Sequence, residues 1–104
     1  MIIVQGVFRV DPAERDAYLS QSVEGMQMSR AEHGCLEYVM AADPVEADRV
    51  ILSERWESRE DLDRHIDGLT RLRKDTADSA DAQAVSVVSR ELAMYEVTSA
   101  KPLG

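Results

Sequence analysis

The chain has 104 residues and a formal charge of -8, a length that fits one domain and a charge that repels nucleic-acid phosphates and anionic lipid surfaces. Its apolar share of 44% is too high for a disordered chain, yet no apolar run nears the ~20 residues that cross a bilayer. These bounds argue against nucleic-acid and membrane partners and leave a small aromatic or otherwise apolar molecule, uncharged or weakly acidic, as the natural ligand.

Met1-Ile2-Ile3-Val4-Gln5 has no basic start and meets a polar residue too early for a signal peptide, so a cytoplasmic protein is expected. Residues Ile2 to Val10 are β-branched and aromatic and read as a strand, with Ile2, Val4, Gly6, Phe8 and Val10 on one face and Ile3, Gln5, Val7 and Arg9 on the other. Asp11-Pro12-Ala13-Glu14 has the pattern of a helix start, with an Asp cap and Pro in the first turn. Leu19, Val23 and Met26 form its apolar stripe, and His33-Gly34 stops it after about Glu32. Cys35 to Ala42 and Arg49 to Glu57 read as an antiparallel hairpin across Asp43-Pro44. Cys35 is the only cysteine, which excludes an intrachain disulfide; it reads as inert core. Ser58 caps a second helix whose buried stripe is Leu62, Ile66, Leu69 and Leu72. Lys74 to Ser79 reads as a polar connector, Ala80 to Val88 as a short helix, Arg90 to Val97 as a fourth strand and Thr98 to Gly104 as a tail. The Asp75-x-x-Asp78-x-x-Asp81 spacing lacks the glycine and terminal Glu of a calcium loop and reads as a solvated acidic stretch.

The order strand, helix, strand, strand, helix, strand over one domain, residues 1–104, predicts a ferredoxin-like α+β fold, β-α-β-β-α-β, with a four-stranded antiparallel sheet and both helices on one face. The other face, expected to carry Val50 and Leu52, would then need a cover, and a second copy of the chain packed sheet to sheet supplies one. A homodimer follows as the expectation.

Residues Glu32 to His65 carry a resemblance. They contain Gly34-Cys35-Leu36-Glu37-Tyr38, then Asp43-Pro44, then Glu54-Arg55-Trp56 and His65 in the next helix. In order and spacing this stretch resembles the antibiotic biosynthesis monooxygenase domain family, whose fold is a dimeric α+β barrel. The resemblance implies a pocket between sheet and helices and, in many members, cofactor-free oxygenation of quinol- or anthrone-like aromatics. Others degrade haem or have no established activity.

His65 flanks the apolar stripe of its helix and is the candidate base, since an imidazole titrates near neutrality and needs no metal or cofactor to take a proton from a phenol or an activated methylene. Trp56 and Tyr38 are candidate substrate-binding residues through their rings and polar tips. Haem-degrading relatives place an asparagine on the first strand, and Gln5 stands at about that place, a third candidate contact. Each has a structural alternative: a hydrogen-bonded core histidine, an anchoring tryptophan, a packed tyrosine. Glu54 and Arg55 point to opposite faces of their strand and read as structural, and His33 as an exposed turn residue. Two further readings stay open beside the oxygenase: a non-catalytic dimer that binds an apolar ligand, and a haem-degrading monooxygenase.

Overall fold

A computed structural model describes the backbone of residues 1–77 and 87–104, and their side chains outside 73–77. The chain runs β1 (Ile2–Val10), a 3-10 turn (Pro12–Glu14), α1 (Arg15–Arg30), β2 (Cys35–Ala42), β3 (Arg49–Trp56), α2 (Arg59–Ala77) and β4 (Val87–Glu96). The strands form one antiparallel sheet in the order β2-β3-β1-β4, the ferredoxin-like arrangement expected from the element order. Among the described residues, no helix is long and apolar enough to cross a membrane.

Local chemistry accounts for the boundaries. The Asp11 carboxylate accepts a hydrogen bond from the Ala13 amide at 2.9 Å, and Pro12 supplies the fixed φ of a first turn. Ser58 caps α2 by accepting from the Asp61 amide and donating to the Asp61 carboxylate at 2.8 Å. Between α1 and β2 the backbone turns at Gly34, whose φ of 82° is the only positive value among the described residues. A side chain there is excluded twice, because a Cβ would also overlap the Asp61 carboxylate.

Strand register sets the core. Ile2 pairs with Trp56, Gly6 with Leu52 and Phe8 with Val50, so the alternate residues of β1 and β3 face the helices together. Ile2, Val4, Phe8 and Val10 of β1, Tyr38 of β2, Val50, Leu52 and Trp56 of β3, and Leu62 of α2 make the buried cluster. Leu19 and Met26 of α1 pack partly against it, while Val23 is exposed.

Three expectations are corrected here. Val50 and Leu52 lie beneath the helices, and the open face of β3 carries Ile51, Ser53 and Arg55 instead. Lys74 to Ala77 continue α2. Val87 and Val88 begin β4 rather than end a helix. The expected helix from Ala80 to Ser86, and Asp78 and Asp81, lie outside the described residues.

The stripe of α2 also behaves differently from a simple buried face. Leu62 is buried, but Ile66 and Leu72 are exposed and Leu69 only half-buried. The helix therefore meets the sheet at its start and leaves apolar residues facing a gap further on. A Gly34→Ala chain is expected to lose roughly 1–3 kcal/mol of stability, read as a lower urea midpoint with an unchanged slope.

Candidate functional site

The gap is a cavity of about 500 Å³ between α2 and the sheet, lined by Phe8, Glu54, His65, Ile66, Leu69 and Met94 among others. That volume suits a drug-sized organic molecule. Leu92, part of the cavity wall, lies directly over Gly6, where a Cβ would overlap it. The sheet contributes one row of paired residues, Tyr38 opposite Glu54, Glu54 opposite Val4, and Val4 opposite Met94, all on the helix side.

His65 stands above this row and is 3% exposed. Its Nδ1 lies 2.8 Å from Oε2 of Glu32, at the end of the α1–β2 turn. Its Nε2 has no hydrogen-bond partner among the described residues and sits 3.8 Å from Oε1 of Glu54. The imidazole is held between two rings, with the Trp56 centroid at 4.8 Å and the Tyr38 centroid at 5.4 Å. The Trp56 indole N–H donates to Oε1 of Glu54 at 2.9 Å.

Burial is the main electrostatic force here. It pushes the Glu54 carboxyl above its usual range, offset in part by the Trp56 hydrogen bond and by His65. It pushes the Tyr38 phenol up to about 12, with the Glu54 carboxylate adding to the rise, so Tyr38 stays neutral at ordinary pH. Two raised acids beside a buried imidazole with one bare nitrogen are the groups from which acid–base sites are built.

His65 and Tyr38 reach the cavity together. Trp56 is fully buried behind the imidazole and does not line the cavity; it reaches the site through Glu54 and His65. Gln5 lies on the other face of the sheet, exposed, opposite Ser53 of β3. The β1 positions that face the helices are Val4, Gly6 and Phe8, so the first strand brings no amide to the cavity. This corrects the expected contact from Gln5, and the cause is the period of two along a strand.

Glu54 and Glu32 were missed by sequence reasoning. Glu54 had a signal, since two residues before a buried Trp56 on a strand is the same, buried face. Glu32 had none, because its contact with His65 joins residues far apart in the chain.

Comparison with known proteins now places the chain. The family profile described as antibiotic biosynthesis monooxygenase matches residues 1–68. The chain belongs to that family. Over 65 residues, 62% of this chain, it is 31% identical to the uncharacterised protein sll1783 of Synechocystis, of which the match spans only 44%. Over an equal stretch it is 29% identical to YcnE of Bacillus subtilis, named provisionally as a monooxygenase, of which the match covers 68%. A Deinococcus radiodurans structure, provisionally assigned to the same family, superposes with a TM-score of 0.78 at 24% identity, covering 100% of this chain and 99% of its own. The haem-degrader MhuD of Mycobacterium tuberculosis, solved with two haems in its active site, shares the fold with a TM-score of 0.73 at 14% identity over 98% of this chain and 100% of its own.

This chain thus holds a buried carboxylate whose ionisation works against folding. The folded chain binds the Glu54 proton more tightly than the unfolded chain does, so this term weakens the fold as pH rises above the ordinary 4.5. A Glu54→Gln chain keeps an acceptor for the Trp56 N–H and lacks that term. Its urea midpoint is expected to exceed that of the wild type at pH 7, with the gap closing as pH falls towards 4.5.

Proposed function

We propose that this chain is a cofactor-independent monooxygenase acting on a quinol- or anthrone-like aromatic, with Nε2 of His65 as the base. One observation carries the reading: a buried imidazole whose Nε2 has no partner among the described residues belongs to a residue that lines a largely apolar cavity of about 500 Å³. Membership of the antibiotic biosynthesis monooxygenase family, and the provisional name of the Bacillus subtilis relative, support it.

The chemistry needs no more than a positioned base. His65 takes a proton from the substrate's activated carbon or hydroxyl, and the resulting electron-rich anion passes one electron to O2. Recombination forms a C–O bond, and the reduced oxygen takes up a proton to give a hydroperoxide. From an anthrone methylene, loss of water then leaves a carbonyl, so one oxygen atom stays in the product and the other departs as water. The buried rings and aliphatic side chains keep bulk water from the anion. Carboxylates at Glu54 and Glu32 disfavour a substrate that arrives charged and favour one that enters as the neutral acid.

We also infer that the functional unit is a homodimer packed through the open sheet face. Ile51 and Tyr95 are exposed there, and a shallow depression of about 410 Å³ runs between them past Gln5, Val7 and Ser53. On that reading Gln5 belongs to the interface rather than to the ligand site.

Haem breakdown gains less support, because the first strand brings no amide into the cavity beside His65. A non-catalytic binding dimer uses the same cavity and differs in its outcome. Metal-free wild-type protein is expected to consume oxygen with an anthrone or hydroquinone. His65→Gln, which keeps most of the side-chain volume, should lower kcat by roughly 10²–10⁴ with an unchanged circular dichroism spectrum. Saturable binding without oxygen uptake across such a panel would favour the binding dimer. Light scattering at micromolar concentration should give the dimer mass, and a monomer there contradicts the interface.

A further inference from the structure

His65 is the only described residue that lines two cavities on opposite sides of α2. The first is the largely apolar cavity, which His65 lines together with Tyr38 and Glu54. The second is an outer groove of about 350 Å³ lined by Glu32, His33, Asp61, Arg64, Asp67 and Arg71 besides His65. His65 is thus the residue common to both linings. Glu32, to which Nδ1 is bonded, has a side chain 39% exposed, while that of His65 is 2% exposed.

We propose that Glu32 is the positioning residue of His65: it fixes the proton on Nδ1, leaves Nε2 as the acceptor in the cavity, and passes the proton that His65 gains there out to the solvent-facing groove. The tautomer rests on geometry alone; the proton path rests on the reading of His65 as base.

An ionised carboxylate only accepts hydrogen bonds, so a neutral imidazole beside it at 2.8 Å must place its single proton on Nδ1. Nε2 then holds a lone pair, and a base needs that form on the cavity side. Among the described residues none hydrogen-bonds Nε2. Glu54 of β3 is 3.8 Å away and already accepts from Trp56. Tyr38 of β2 meets the imidazole through its ring. On α2 itself Asp61 is bonded to Ser58 and Arg64, and His33 of the turn stands 3.9 Å from Asp61 on the groove side.

The proton balance follows. Nε2 takes a proton from the substrate, giving an imidazolium; Nδ1 releases its own proton to the Glu32 carboxylate; the groove exchanges that proton with water. The neutral ring that remains carries its proton on Nε2, and return to the starting tautomer needs Nδ1 protonated from Glu32 as Nε2 gives its proton to the reduced oxygen on the substrate. The same pair therefore serves both the proton removal and the protonation of the hydroperoxide.

The test reads the ring directly. Long-range ¹H–¹⁵N correlation on ¹⁵N-labelled protein resolves two histidines, with exposed His33 as the internal reference. Wild-type His65 is expected to show a protonated Nδ1 and a bare Nε2. Glu32→Ala should shift the proton to Nε2, and formate, small enough for the outer groove, should restore the wild-type pattern. The turn's backbone hydrogen bonds, Glu32 amide to Ser29 and Cys35 amide to the Glu32 carbonyl, do not use the replaced side chain, so the variant should fold. Glu32→Gln keeps an acceptor but cannot carry a proton; it should hold the tautomer yet lose about ten- to a hundred-fold in kcat with little change in KM. A wild-type ring protonated on Nε2, or a tautomer unmoved in Glu32→Ala, overturns the assignment. Full turnover in Glu32→Gln overturns the proton path. The wild-type tautomer with no oxygen uptake on any substrate supports the positioning role and overturns the oxygenase reading instead.

Discussion

Glu54 stands on the face of β3 that otherwise presents Val50, Leu52 and Trp56 to the helices, and it is as buried as they are. A carboxylate in that position loses most of its hydration, and the sheet cannot move it without turning every neighbour to the other face. What makes it tolerable is local. The Trp56 N–H donates to it, and the His65 ring sits within reach of its oxygen. The same contacts fix Trp56 against His65 and His65 against Tyr38, so the constraint that makes Glu54 costly also determines where the imidazole lies.

The cavity depends on how α2 meets the sheet. The Ser58 cap and the burial of Leu62 anchor the helix beside the end of β3, and His65 follows one turn later. Beyond that point Ile66, Leu69 and Thr70 roof a space instead of packing on strands. Gly6 lets Leu92 lie close across β1. A helix anchored at one end and lifted at the other gives an apolar chamber with its one buried imidazole near the anchored end, where packing is tightest and the ring has least freedom.

Much of this was legible because it is periodic or capped. The alternation in Ile2 to Val10, the Asp11-Pro12 start, the His33-Gly34 stop and the Ser58 cap each act within a few residues, and the structure places them as read. The phase of β3 was misread because Glu54 interrupts an apolar alternation, so Val50 and Leu52 were given to the wrong face. Gln5 failed for a related reason: placing a residue on a strand does not place its side chain on the ligand's side. Glu32 was beyond local reasoning, since it reads as the polar last turn of a helix until the fold sets it beside His65. The residues after Leu72 look like a connector because their sequence carries no apolar stripe, yet the backbone stays helical to Ala77.

The two misread carboxylates are also the two that flank the buried imidazole, and the connection is physical. A charge that serves a buried base must break the binary pattern if it comes from the core side, and must come from distant chain if it faces solvent. Glu54 does the first and Glu32 the second. Between them the imidazole has different surroundings at its two nitrogens: a half-exposed carboxylate bonded at Nδ1, and a buried one 3.8 Å from Nε2. That asymmetry matters for an acid–base group, because a proton taken up at one nitrogen can leave from the other. On the proposed reading the proton leaves through Nδ1 and Glu32, on the groove side of the ring.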